Sequence, residues 1–374
     1  MVDISALTSL RTPTQAESVI EINSPNQISD LFSRGFFQKP FYLLGLGANV
    51  LFTKDFPGPV CVIKLKGRNA VAKNSQELLV ELAAGENWHE SVMWAVGNNW
   101  SGMENMALIP GTVGAAAVGN IAAYGQNQQD IIDSLTAVNL TTGQTETFAA
   151  SDCHFAYRES IFKNEFAGKY LVTSVTYHLF RTARPELSYH AARHASLLSE
   201  LKRLREVSEV NRPLRNRAGA AGTGSSRTDL PDTDQYSVQE VAAAVISLRT
   251  SKLPDWTKIN TAGSFFKNPR VPRQVAENIK TRIPDLQIYP AEKLSYIPPG
   301  READFVKIPA GMLLDQLGWK GKKIGHVGTY PHHALVIVAD PGTSGQEIYE
   351  FAEKMRTDVQ TQLAVNLEYE VVVV

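Results

Sequence analysis

Few polar residues of this sequence stand in surroundings that suggest chemistry rather than a wetted surface. Arg158 lies in FAYRESIFKN, residues 155–164, between Phe155 and Ile161-Phe162. Its guanidinium is therefore either buried against an acid such as Glu159 or aimed at a ligand, and a desolvated Arg suits planar, bidentate recognition of a carboxylate. Ser264 lies in GSFFKNP, residues 263–269, which lacks the G-x-S-x-G elbow of an acylating serine. It reads either as a turn residue or as a proton donor. Glu368 and Glu370 alternate with Leu367, Tyr369 and Val371 in an extended run, so both carboxylates project from one face. That face is either simply wet or offers a carboxylate to an Arg. His332 and His333 are adjacent and point to opposite sides of a strand, which argues against a shared metal. Lys252, in RTSKLP (249–254), falls near a helix C-terminus, where the dipole favours a cation and a ligand phosphate would also find one.

The stretch that must position these groups is SGMENMALIPGTVGAAAVGNIAAYGQ, residues 101–126, built largely of small residues. Its backbone has to approach something closely: a cofactor, or a neighbouring element across a tight interior turn. Gly111, Gly114 and Gly119 carry no Cβ and permit positive φ, and Pro110 fixes the entry to the turn. Upstream, FYLLGLG reads as a strand running into the loop GLGAN, residues 45–49. This is not a dinucleotide fingerprint, since Val50 replaces the third Gly and the chain then looks extended. Successive amides between two strands nevertheless make an anion nest.

The remaining pattern is α+β. Ile20 and Ile22 predict a strand, with a helix opening after Ser24-Pro25. Val80–Ala84 reads as a strand, and Trp88, Val92, Ala95 and Val96 share a helical face. Ser134 to Phe148 alternates like a hairpin turning at Thr142-Gly143, and Tyr170–Leu179 is a further strand. Leucines 197, 198, 201 and 204 predict a helix within 191–209. The low-complexity run 215–229 that follows reads as a disordered, solvated insertion, without the aromatic interleaving of a nucleic-acid arm. Capping boxes at Ser237–Glu240 and Ser344–Glu347 open two helices, and His333–Asp340 is a strand. The domains expected are 1–68, 69–189, an insertion at 190–236, and 237–374.

Composition narrows the partners. The 374 residues hold 37 basic and 38 acidic side chains, so no net field attracts nucleic acid and a small-molecule partner is expected. Two cysteines, Cys61 and Cys153, are too few for a disulfide framework or a zinc site and are expected to be buried. No signal-peptide pattern and no membrane-length apolar stretch occur, which predicts a cytoplasmic protein.

Taken in order, GLGAN, SGMENMALIPGTVGA with NIAAYG, YRESIFK, RTSKLP, GSFFKNP and LEYEV resemble the UDP-N-acetylenolpyruvoylglucosamine reductase (MurB) family of flavoenzymes. The resemblance implies an FAD-binding fold of the vanillyl-alcohol-oxidase type in two subdomains, plus an α+β substrate-binding domain. It implies FAD held by Gly45, Leu46, Gly47, Ala48 and Asn49 and by Ile109, Pro110, Gly111, Gly114, Ala115 and Ile121. The cofactor is expected to be non-covalent, there being no His in GLGAN. The implied reaction has two halves: NADPH reduces the flavin, then UDP-N-acetylglucosamine enolpyruvate accepts hydride at its vinyl carbon, a step of peptidoglycan precursor synthesis. Arg158 and Glu370 match positions that polarise the enolpyruvyl group, and Ser264 matches the proton donor. Tyr189, Lys252, Asn268 and His333 are implied substrate contacts. Tyr189 in LSYH, together with SFFKNP, points to the type I form, which closes a tyrosine-bearing loop over the nucleotide. Ala48 stands where Ser is common and Ala122 where Gly is usual in NIGAYG. A monomer is expected. The alternatives are a flavin oxidase of the same fold acting on a sugar or alcohol, and a non-catalytic UDP-sugar sensor. The presence of Arg158, Ser264 and Glu370 together favours the reductase.

Overall fold

A computed structural model describes residues 1–187, 196–210, 236–290 and 304–374. Short alternating strands near the N-terminus form a three-stranded parallel sheet, with Val60–Ile63 between Val19–Ile22 and Tyr42–Leu44. The helix Pro25–Ser33 covers it and buries Ile28. Ser24 caps this helix by accepting the Gln27 amide, which explains why the chain turns helical at that point. Next comes a five-stranded antiparallel sheet in the order Thr145–Ala149, Ile132–Asn139, Tyr170–Phe180, Glu77–Ala83 and Arg68–Ala72. The helix Trp88–Gly97 packs Trp88, Val92, Ala95 and Val96 into the same core, as the sequence pattern predicts. The hairpin turn falls where expected, at Gly143 with φ 75°.

Two further helices bury their apolar faces in this same core, including Leu197, Leu201, Val241, Val245 and Leu248. The helix Leu197–Val210 lies against the helix Val238–Lys252, joined by Arg205 to Glu240 at 2.7 Å and by the Ser247 hydroxyl to Glu200 at 2.6 Å. It opens at Leu197, the first of the four leucines that predict it. The run 215–229 and Tyr189 lie outside the described residues.

A second core gathers behind the antiparallel sheet Asn260–Ser264, His333–Ala339, Val327–Tyr330 and Lys323–Ile324. The helix Gly345–Leu363, opened by the expected capping box at Ser344, buries Ile348, Phe351, Met355 and Leu363 there. The chain then returns. Residues 367–371 run extended, only Val372–Val373 forms a strand, and that strand pairs in parallel with Val50–Leu51 near the N-terminus. Cys61 and Cys153 are buried free thiols, and burial pushes both up to about 12.

Candidate active site

The loop 45–49 links the strands Tyr42–Leu44 and Val50–Leu51 and forms one wall of a cavity of about 420 Å³. Pro110, Gly111, Gly114, Ala115 and Ile121 line the same space, and Arg158 and Glu370 reach it from later segments. Ile109 does not line it and packs against the neighbouring hydrophobic core.

The glycines serve two purposes. A Cβ at Gly45 would stand 2.6 Å from Thr112 Oγ1, and one at Gly114 would stand 2.7 Å from the Ala84 Cβ. At Gly47, with φ 66°, it would meet the Leu7 carbonyl oxygen at 2.0 Å. These three are small so that protein elements close on one another. Gly111, at φ 144°, instead has nothing within 4 Å of its missing Cβ and leaves the cavity wall bare. The sequence does not separate these roles. Nor is 109–119 a single turn, since Val113–Val118 is helical. The amides of Leu46, Gly47 and Ala48 donate to no described group, so the loop presents unengaged N–H groups of the kind that hold a phosphate. No His or Cys lines the cavity among the described residues. Unengaged amides, a bare glycine wall and the lack of a tethering side chain fit a non-covalent dinucleotide such as FAD.

Arg158 takes a left-handed backbone, φ 60°, which a non-glycine residue adopts at a cost of about 1–3 kcal/mol. Its Nε donates to Glu370 Oε1 at 2.6 Å, with both side chains less than one-fifth exposed. Its terminal nitrogens reach the carbonyls of Asn120 at 3.4 Å and Ala122 at 3.3 Å. The partner of Arg158 is thus Glu370 and not the adjacent Glu159, which bonds to Lys267 instead. Because the Ala122 contact is through the backbone, replacing Gly by Ala there leaves it available.

The returning C-terminal segment places Glu370. Its amide donates to the Phe265 carbonyl at 2.9 Å, one residue after Ser264, and the Asn49 carboxamide donates to the Glu370 carbonyl at 3.1 Å. One short segment thereby joins the candidate cofactor loop, Ser264 and Arg158. Ser264 ends the strand Asn260–Ser264, just past a register shift and Gly263 at φ 73°. It is therefore neither a plain turn residue nor a regular strand residue, and its hydroxyl bonds to no described group. Glu368 and Glu370 differ despite their spacing: the Glu368 side chain is 70% exposed beside Lys267.

The remaining candidates are spread more widely. Lys252 is the last residue of its helix, and burial pushes its pKa down while Glu200 opposes the shift. Asn268 Oδ1 accepts the Ala310 amide at 3.0 Å, in the first turn of the helix Ala310–Gln316. His333 starts its strand away from the cavity lining and accepts the Leu335 amide at Nδ1. Two cations were missed. Arg249 has an enclosed Nε without a partner among the described residues, and it faces Tyr124 and Arg158; burial lowers its pKa. Its three-residue spacing from Lys252, on one helix face, was the available signal. Lys163, in YRESIFK itself, lines the cavity.

Residues 16–149 match the family described as FAD binding domain, and residues 255–374 match UDP-N-acetylenolpyruvoylglucosamine reductase, C-terminal domain. The UDP-N-acetylenolpyruvoylglucosamine reductase of Burkholderia lata is 38% identical over 331 residues, covering 88% of this chain and 83% of that protein. That of Flavobacterium johnsoniae is 34% identical over 361 residues, covering 96% and 94%. The crystal structure of UDP-N-acetylenolpyruvylglucosamine reductase (MurB) from Thermus caldophilus superimposes with a TM-score of 0.60 at 19% identity, covering 100% of this chain and 97% of that one.

Proposed function

The chain belongs to the UDP-N-acetylenolpyruvoylglucosamine reductase family, and from that premise we propose how its own side chains divide the reaction. It is an FAD oxidoreductase that reduces UDP-N-acetylenolpyruvoylglucosamine, with NADPH as reductant, in peptidoglycan precursor synthesis. Its fold combines the FAD-binding fold of the vanillyl-alcohol-oxidase type with an α+β C-terminal domain. Bound FAD supplies two-electron chemistry, accepting hydride from NADPH and delivering it to the vinyl carbon of the substrate.

The protein supplies everything else. The amides of Leu46, Gly47 and Ala48 hold the cofactor diphosphate, and the bare backbone at Gly111 lets the cofactor approach. Arg158 faces the substrate carboxylate, where negative charge accumulates as the hydride arrives, and a guanidinium fixed in advance stabilises that charge without reorganising. Glu370 fixes it. Ser264 then passes its hydroxyl proton to the carbon that bears the carboxylate. Lys252, Asn268, His333 and Tyr189 take the UDP portion, with Arg249 adding positive charge between them and Arg158. The divisions 1–68, 69–189, 190–236 and 237–374 serve as two cofactor subdomains, an insertion and a substrate domain. The parallel sheet within 19–63 and the antiparallel sheet within 68–180 support the first boundary. The enzyme works as a monomer, since one chain contributes every group named. No helix among the described residues is long and apolar enough to cross a membrane, and nucleotide substrates place the work in the cytoplasm.

The observation that carries this reading is the Arg158–Glu370 pair at 2.6 Å in the wall of the cavity that the loop 45–49 lines. Without oxygen, NADPH should bleach the flavin, and the enolpyruvyl nucleotide should then restore its colour. Failure of the second step would overturn the assignment.

A further inference from the structure

Lys163 occupies a place that an unbranched apolar side chain would fill with less desolvation. It lines the cavity, and burial pushes its ammonium pKa down. Glu159 and Glu370 attract the ammonium, while Lys267 and Arg158 repel it. Yet each carboxylate is already engaged, Glu370 by Arg158 and Glu159 by Lys267. The hydrogen bond Lys163 makes goes to a backbone oxygen: Nζ donates to the Arg158 carbonyl at 3.1 Å. That carbonyl belongs to the residue held at φ 60°.

We infer that Lys163 is a positioning residue for substrate reduction: by gripping the Arg158 carbonyl it braces the tight turn that carries Arg158 and keeps its guanidinium turned to Glu370. The physical reason lies in the other restraints. The carbonyls of Asn120 and Ala122 receive the guanidinium at 3.4 and 3.3 Å, which are long hydrogen bonds. Glu370 restrains the guanidinium end of the side chain through Nε. The two Ala156–Glu159 backbone bonds, at 3.1 and 3.0 Å, close a tight turn around Arg158, and Lys163 adds a side-chain grip on the Arg158 carbonyl itself. Without its donor the turn keeps its own two bonds but loses the brace at the Arg158 carbonyl, so the residue can tilt and carry the guanidinium off its line.

The inference rests on the assignment of Arg158 to the substrate carboxylate, so the test includes both residues. Lys163→Met keeps length and packing and removes the donor, Lys163→Arg restores a donor, and Arg158→Met removes the guanidinium. Stopped-flow absorbance would follow the two half-reactions separately in the FAD-loaded enzyme. Lys163→Met should keep its flavin and its reduction by NADPH to within about twofold, and should slow substrate reduction roughly tenfold to a hundredfold, the scale set by small misplacements of a catalytic group. The loss should fall on kcat more than on KM, and Lys163→Arg should recover most of it. Normal substrate reduction in Lys163→Met, equal slowing of both halves, or loss of flavin or of the fold in Lys163→Met that Lys163→Arg does not repair would each overturn the inference. Normal substrate reduction in Arg158→Met would instead overturn the assignment beneath it. A slow Arg158→Met beside a normal Lys163→Met would remove only the role of Lys163.

Discussion

Arg158 holds an unfavourable backbone because its surroundings over-determine it, and strain kept in this way usually marks a working site. Ser264 contrasts with it: its hydroxyl has no partner among the described residues, while the peptide after it is pinned by the Glu370 amide at 2.9 Å and by the Phe265–Leu335 bond at 2.9 Å. A hydroxyl on a rigid frame with no competing acceptor is suited to give its proton to substrate. Ser264→Ala should therefore leave reduction of the flavin by NADPH within about twofold and slow the second half-reaction by about 10²–10⁴, the usual yield of positioned proton transfer. Stopped-flow absorbance separates the two, and equal damage to both halves would strip Ser264 of that role. The types of these residues were legible from their motifs. Their partners were not: Glu159, next in sequence, was as good a candidate for Arg158 as Glu370, 212 residues away.

The elements carry two kinds of constraint, and the loop 45–49 shows the first. At Gly47 a methyl would collide with the Leu7 carbonyl in a left-handed backbone, so Gly47→Ala should destabilise the apoprotein by at least ~1 kcal/mol, measured by urea unfolding. Gly119 provides the comparison. At φ −83°, with no atom nearer than 3.4 Å to the added methyl, Gly119→Ala should change apoprotein stability by less than ~0.5 kcal/mol. A similar loss in both variants would refute the distinction. The second constraint is electrostatic and joins the helices Leu197–Val210 and Val238–Lys252. Arg205 beside Glu240, helped by the Ser237 capping contacts, holds the Glu240 carboxyl at about 2. A depressed carboxyl contributes stability above its unfolded pKa of about 4.3 and loses it as pH falls toward the folded value. Glu240→Gln keeps an N3 partner for the Ser237 cap and removes the charge. The stability gap between wild type and this variant should thus be largest above about pH 4.3 and close as the pH falls toward 2. A gap that is flat with pH would mean that the pair does not matter. Partial exposure and salt screening keep the effect modest.

Across the whole molecule, the decisive feature is the return of the C-terminus to the N-terminal half. Val372 and Val374 donate to the carbonyls of Asn49 and Leu51 at 3.0 and 2.8 Å, and Val374 accepts the Thr53 amide at 2.9 Å. These bonds bring Glu370 to the cofactor loop. Both thiols are shielded from reagents, buried and raised to about 12. Thiol titration at neutral pH should therefore find neither cysteine reactive in the native protein and both reactive in denaturant; rapid native labelling would show an opening near one of them. The sequence alone determined what neighbours in the chain can decide. The helix caps at Ser24, Ser237 and Ser344, the buried face of Trp88–Gly97 and the turn at Gly143 all rest on side chains within a few residues of one another. It also supplied the residue types of the site through six ordered motifs. Only the tertiary structure decided that Arg158 pairs with Glu370, that Gly47 and Gly111 are small for different reasons, that Lys163 lines the same cavity and that Arg249 lies buried near enough to feel the charge of Arg158. These contacts form between segments up to hundreds of residues apart, when strands and helices pack, and no local periodicity records which distant segment will arrive.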